Sequence, residues 1–182
     1  MQRKQRDYRN WKQSNAPYLI AMALAFVMFM VIAPEVNEGN AMAPTLKDGD
    51  VLVVSKTAYN PNRKPPEKDS MVILEKTYAQ DVYEDNIIGR VVGHPGDTVA
   101  IKNGKVLVNG KEYVTDDGIA GAPEDMKKVK LEMDEVFLLC DNRDELIDSR
   151  NPDMGPVDMR EIKGNVLLRV WPFSDIEYLK KK

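Results

Sequence analysis

The chain has 182 residues, with 26 Lys+Arg against 29 Asp+Glu, one His and one Cys. That length fits one compact domain with an appendage. One Cys excludes an internal disulfide or a Cys-rich zinc cage, and one His excludes a metal site built on two or three His. A near-neutral balance without a basic stripe argues against nucleic acid, and no metal or cofactor is expected.

The charge is unevenly spread. Residues 1–34 hold five bases (Arg3, Lys4, Arg6, Arg9, Lys12) and one acid, Asp7. Gln13 to Pro34 carries no charge, and Tyr18 to Ala33 is unbroken apolar sequence. As a helix the uncharged run would span ~33 Å, enough for a hydrocarbon core of roughly 30 Å. Trp11 and Tyr18 fit headgroup positions, and the flanking bases put residues 1–12 in the cytoplasm. The predicted organisation is a cytoplasmic segment 1–12, an anchor 13–34 and an extracytoplasmic domain 35–182. The competing reading is a cleaved secretory signal ending at Ala41-Met42-Ala43; Pro44 directly after it opposes cleavage there.

Beyond Glu38 the pattern becomes short β-rich runs. Asp50–Val54, Met71–Leu74, Ile87–Val92, Thr98–Ile101, Lys105–Val108, Val136–Leu139 and Val166–Trp171 read as strands. Asn103-Gly104 and Asn109-Gly110 between apolar runs mark tight hairpin turns. Asn60–Asp69 and residues 116–130, rich in Pro, Gly and charge, read as loops or insertions. Acidic clusters at Asp116-Asp117 and Glu132–Glu135 fit solvated surface, as does the Lys180–Lys182 tail. The methionines of the anchor (Met22, Met28, Met30) fit packing or lipid contact. The fold class expected is mainly β with one N-terminal helix.

Three ordered segments add a family resemblance. Asn40-Ala41-Met42-Ala43-Pro44-Thr45-Leu46, followed by Gly49-Asp50, is similar to the Ser-Met-x-Pro-Thr-Leu box of type I signal peptidases. Gly89-Arg90-Val91-Val92-Gly93-His94-Pro95-Gly96-Asp97 resembles their Lys-Arg-x-x-Gly-x-Pro-Gly-Asp box. Cys140-Asp141-Asn142-Arg143 through Asp148-Ser149-Arg150 resembles their Gly-Asp-Asn-Arg-x-x-Ser-x-Asp-Ser-Arg box, and Trp171-Pro172-Phe173 resembles their chain end. The resemblance implies a signal-peptidase-type β domain, tethered by one helix to the outer face of a bacterial cytoplasmic membrane.

In that family a serine attacks the peptide carbonyl and a desolvated lysine takes its proton. By resemblance Ala41 stands at the nucleophile position, Gly89 at the base and Leu146 at the serine that orients the base. None of the three can perform that role. Arg90, Asp141, Asp148 and Arg150 match the family's buried ion-pair network, and Met42, Pro44 and Met71 match a peptide groove flanked by an edge strand at Asp69–Leu74. The implied protein is a non-catalytic accessory factor that binds secretory precursor or pilin peptides. The alternatives are an active serine endopeptidase, through an engineered Ser-to-Ala change at Ala41 or an unrecognised nucleophile, and a structural subunit that binds no peptide.

Cys140 and His94 are the other candidates for a nucleophile and base. The simpler reading is a buried thiol and a loop imidazole. Cys140 replaces a family glycine beside the lysine stem, so its side chain is expected to fill the space left at Gly89. Four residues between Arg150 and Gly155, against a usual two, predict a displaced loop.

Overall fold

A computed structural model describes residues 2–56, 64–74, 86–115, 119 and 121–179, with side chains of the first helix described from Asn15. The predicted loop 60–63, the acids Asp116 and Asp117, and the Lys tail 180–182 lie outside the described residues. The chain opens with α1 (Gln2–Val31), a helix of 30 residues that includes Pro17. It stops three residues before the expected Pro34, because Ile32–Val36 form β1 and pair with Val51–Ser55, β2. β1 is an edge strand, where a proline costs no ladder donor. Among the described residues no helix is long and apolar enough to cross a membrane.

The remaining strands are β3 (Met71–Leu74), β4 (Ile87–Gly93), β5 (Thr98–Lys102), β6 (Lys105–Val108), β7 (Lys111–Glu112), β8 (Met126–Lys130), β9 (Glu135–Leu139), β10 (Val157–Asp158), β11 (Ile162–Trp171) and β12 (Glu177–Tyr178). Among the described residues they form two sheets. The larger runs β1-β2-β11-β3-β4-β9-β10, with β12 also on β11; the smaller runs β7-β6-β5-β8. The fold is therefore mainly β, as the sequence pattern implies.

The uninterrupted apolar runs have a direct explanation. Met71 and Ile73 point into one core with Met42, Leu46, Leu52 and Ile88, while Val72 and Leu74 point into another with Val91, Val136 and Leu138. A strand covered on both faces needs no polar alternation. A third core, with Val92, Val99, Ile101, Phe137 and Leu139, joins the smaller sheet to the larger. Both Asn-Gly pairs turn with positive φ at each residue (53° and 71°; 53° and 79°), the backbone a two-residue hairpin of this twist demands.

Two expectations change. Residues 116–130 are not all loop, since β8 occupies the last five and pairs with β5. Its three lysines are exposed while Met126 and Val129 pack inward, so the charge hid a half-buried strand. Asp69–Leu74 is not a free edge either: Val72–Leu74 pair with β11 on one side and Met71–Leu74 with β4 on the other.

The tightest backbone approach is at Gly164 in β11, where a Cβ would lie 2.6 Å from the Ser55 carbonyl oxygen and 2.8 Å from Val54 Cγ1. Because one neighbour is backbone, relief requires the β2–β11 ladder to part. Gly164→Ala is expected to cost at least about 2 kcal/mol, read as a lower denaturant midpoint with an unchanged slope.

Candidate functional site

The segment carrying Ala41 is a loop between β1 and β2, and its shape is fixed from several directions. Asn37 N–H donates to Asp50 O (2.8 Å), Gly49 N–H to Asn37 O (2.9 Å), and Asn37 Nδ2 to Lys47 O (2.8 Å). Leu46 N–H donates to Met42 O (2.8 Å), closing a turn over the Ala43-Pro44 peptide, which is cis. Asp50 accepts from Lys47 N–H (2.9 Å) and pairs with Arg169 of β11 (3.2 Å). Arg169 also donates to Thr45 O (2.8 Å) and pairs with Glu177 (2.8 Å). Asp50 and Arg169 were not among the expected ion pairs, although Gly49-Asp50 belongs to the first box.

The loop is clamped to the turn after β9. Asn142 N–H donates to Ala41 O (3.0 Å), and Thr45 Oγ1 donates to Asp141 Oδ2 (2.6 Å). Asp141 takes two bonds from Arg90, at 2.7 Å from Nε and 2.6 Å from Nη2, and both side chains are fully buried. Arg90 Nη1 donates to Asp69 O (2.7 Å). Asp148 and Arg150 form a second buried pair at 2.8 Å. The expected four-residue network is thus two ion pairs joined through backbone: Asp148 accepts from Cys140 N–H (2.9 Å), the residue before Asp141. Ser149 Oγ accepts from Leu138 N–H (3.0 Å), so that serine pins β9 and is not free for chemistry.

Beside Ala41 lies a cleft of about 230 Å³, lined by Asn37, Glu38, Gly39, Ala41, Met42, Asn86, Ile87, Ile88 and Ile147. Met42, Ile87, Ile88 and Ile147 supply apolar lining, and Asn37, Glu38 and Asn86 supply polar lining. The ladder between β4 and β9 begins at Arg90, so the β9-facing edge of Ile87–Gly89 is outside that ladder. The strand edge beside the cleft is therefore that of β4, whereas the sequence pointed to β3. Met42 reaches the cleft but is otherwise core, and Met71 is 1% exposed within the same core, so its side chain is not available to a ligand. Pro44 is exposed on the loop, and Leu146 is 51% exposed beside Ile147.

No Ser, Thr, Cys, Lys or His is among the described residues lining the cleft. A Cβ built at Gly89 has Leu138 as its three nearest contacts, at 3.1, 3.5 and 3.8 Å. Leu138, not Cys140, is the closest neighbour of that position. The Cys140 thiol instead donates to Ile147 O (3.4 Å), and burial followed by the charge of Asp148 pushes its pKa up. His94 follows the far end of β4, against Pro66 and Lys68; burial and then the Lys68 charge lower its pKa. In the β4–β9 register Arg90 faces Leu139 and Gly93 faces Phe137, so Cys140 and His94 lie beyond opposite ends and form no dyad. The longer loop after Arg150 is not loose: Met154 and Gly155 N–H both donate to Asn151 O, and Met154 is buried in a core.

This arrangement of boxes has relatives. The family model "Signal peptidase, peptidase S26" matches residues 10–171. The chain belongs to the signal peptidase family. Signal peptidase IB of Staphylococcus aureus is 30% identical over 92% of this chain and 95% of its own length. Signal peptidase I P of Bacillus subtilis subsp. natto is 33% identical over 89% of each. A crystal structure of a signal peptidase I from Enterococcus faecalis overlays with a TM-score of 0.46 at 19% identity, over 56% of this chain and 97% of that one.

The signal peptidase boxes therefore meet at one clamp, Arg90–Asp141–Thr45. Removing the charge from one partner leaves the other buried without compensation, which costs about 3–5 kcal/mol. Asp141→Asn is expected to lose that much stability, whereas Thr45→Val, which removes one donor to the charged carboxylate, costs about 1.5–3 kcal/mol and less than Asp141→Asn. Urea unfolding of the two variants side by side checks the ranking; equal losses would contradict it.

Proposed function

We propose that this signal peptidase homologue binds an extended peptide in the cleft beside Ala41 and does not cleave it. The observation that carries the reading is the pair of side chains where the family's reaction requires a nucleophile and a base. Ala41 ends in a methyl group and Gly89, next to Ile88 of the cleft wall, in a hydrogen. Neither can attack a carbonyl or accept a proton. Leu146 at the third position supplies no hydroxyl, so a single engineered change at Ala41 does not account for the set. Cys140 is buried, its thiol donates to Ile147 O and burial pushes its pKa up, which counts against it as a substitute nucleophile.

Peptide binding needs less than cleavage does. Main-chain hydrogen bonds along the outer edge of Ile87–Gly89 supply affinity by strand addition, and the apolar lining of Met42, Ile88 and Ile147 selects small side chains. The ligand class proposed is a secretory precursor or a pilin segment. Function in protein secretion or pilus assembly follows from that ligand class.

The same proposal includes a membrane anchor. Ten apolar side chains of α1, from Tyr18 to Met30, are at least half exposed, including Phe29 at 71% and Met22 at 67%. A helix apolar on every side is stable in lipid or in the core of a larger assembly. The uncharged part that remains helical, 13–31, reaches about 28 Å, so the bilayer must thin slightly or the flanks must be drawn in. The basic residues before it support an orientation with the N-terminus in the cytoplasm and the β domain outside, proposed here for a bacterial cytoplasmic membrane.

The test is incubation of the full chain in detergent with a secretory precursor. The chain as it stands is expected to leave the precursor intact. Ala41→Ser/Gly89→Lys is expected to raise cleavage at least about 10²-fold above that background, once Leu138 yields the few tenths of an ångström a Cβ at 89 requires. Processing by the unaltered chain would show an active peptidase. A photo-crosslinker at Glu38 is expected to capture the precursor or a pilin peptide; no capture of either would favour a structural subunit.

A further inference from the structure

The turn after β9 gathers three arginines around two aspartates. Arg90 takes both oxygens of Asp141, and Arg150 takes both oxygens of Asp148. Thr45 Oγ1 and Cys140 N–H use further lone pairs of the same carboxylates. The third arginine, Arg143, is left out of both pairs. It is only 3% exposed, and its Nη1 is buried without any hydrogen-bond partner. Asp141 and Asp148 favour its charged form from a distance, against the larger effect of burial, which lowers its pKa. A buried guanidinium carries five donors and stays charged, so a group in this condition calls for an anion.

The surroundings show where that anion would come from. Arg143 lines a cleft of about 240 Å³ at the smaller sheet, together with Lys105, Val106, Glu112, Tyr113, Val114 and Pro123. Lys105 is already paired with Glu112 at 2.9 Å, and the Tyr113 hydroxyl is committed to the Asp69 carboxylate. Val106 and Pro123 are buried and Val114 is 75% exposed, which makes an apolar wall with an open mouth. We propose that this cleft binds a carboxylate bearing a short branched aliphatic group. The planar guanidinium of Arg143 takes the carboxylate oxygens, and Val106, Val114 and Pro123 pack the tail. The free acid and the C-terminal residue of a peptide share that chemistry. The site stands on Arg143 alone and does not depend on the peptide-binding reading. Its occupancy would nevertheless bear on the Ala41 loop, because the residue before Arg143 holds Ala41 O.

The experiment is a titration of the full chain in detergent, read by the methyl resonances of Val106 and Val114. The probes are isovalerate, N-acetyl-alanyl-valine and the amide of each. Saturable shifts are expected with both acids and not with the amides, and the tighter acid identifies the source of the ligand. Arg143→Gln is expected to abolish the shifts. Because that variant can fail to fold, Val114→Trp provides a second reading: it blocks the mouth without touching the arginine cluster and is expected to weaken binding at least about tenfold. Three outcomes overturn the proposal. One is no saturable shift up to about 50 mM acid, and another is acids and amides binding equally. The third is binding that emerges only in Asp116→Asn/Asp117→Asn, which would assign Arg143 to the chain's own acids.

Discussion

The buried pair of Arg90 and Asp141 is the constraint on which the rest of the site depends. Two charges without solvent contact hold each other through two short hydrogen bonds, and each reaches one step further. Arg90 grips the backbone at Asp69 before β3, and Asp141 takes the hydroxyl of Thr45 from the Ala41 loop. One strand, one turn and one loop are thereby fixed to a common point. Loss of either member leaves an uncompensated charge in the core, whereas loss of a surface-facing side chain beside it costs little. That asymmetry sets Arg90 and Asp141 apart from Ala41 and Gly89, which carry no charge to leave unpaired.

The same asymmetry decided what the sequence could disclose. Strands buried on both faces and turns demanding positive φ leave strong local marks, so Met71–Leu74, Ile87–Val92 and the two Asn-Gly hairpins were legible in composition and spacing. β8 was obscured because its lysines dominate a five-residue segment whose inward positions are only Met126 and Val129. The end of α1 was misplaced because Ile32 and Ala33 suit a helix and an edge strand alike, and only pairing with β2 distinguishes them. Whether β3 is an edge depends on β11, some 90 residues later in sequence, and no local pattern reports that.

The buried charges of the site carry a mark in the boxes, and other contacts do not. Arg90 pairs with Asp141 and Arg150 with Asp148, two couples joined through the backbone of Cys140. Arg169 and Asp50 brace the same loop from the opposite side, and 119 residues separate them, so nothing in spacing marked them. Met71 shows the reverse. It matched a groove position by resemblance, yet alternation along β3 turns its side chain into the core. The cleft wall instead comes from Ile87 and Ile88, whose unladdered edge is visible only once the β4–β9 register is known.

The proposed function pairs a cleft that takes an extended chain with a described lining that holds no Ser, Thr, Cys, Lys or His. Hydrogen–deuterium exchange of the full chain with an extended, small-residue precursor peptide, followed by the intact mass of that peptide, addresses both halves at once. The account predicts slower exchange confined to residues 37–42 and 86–89, with the peptide recovered at its original mass. Recovery of two fragments, or unchanged exchange in both segments at saturating peptide, would contradict it.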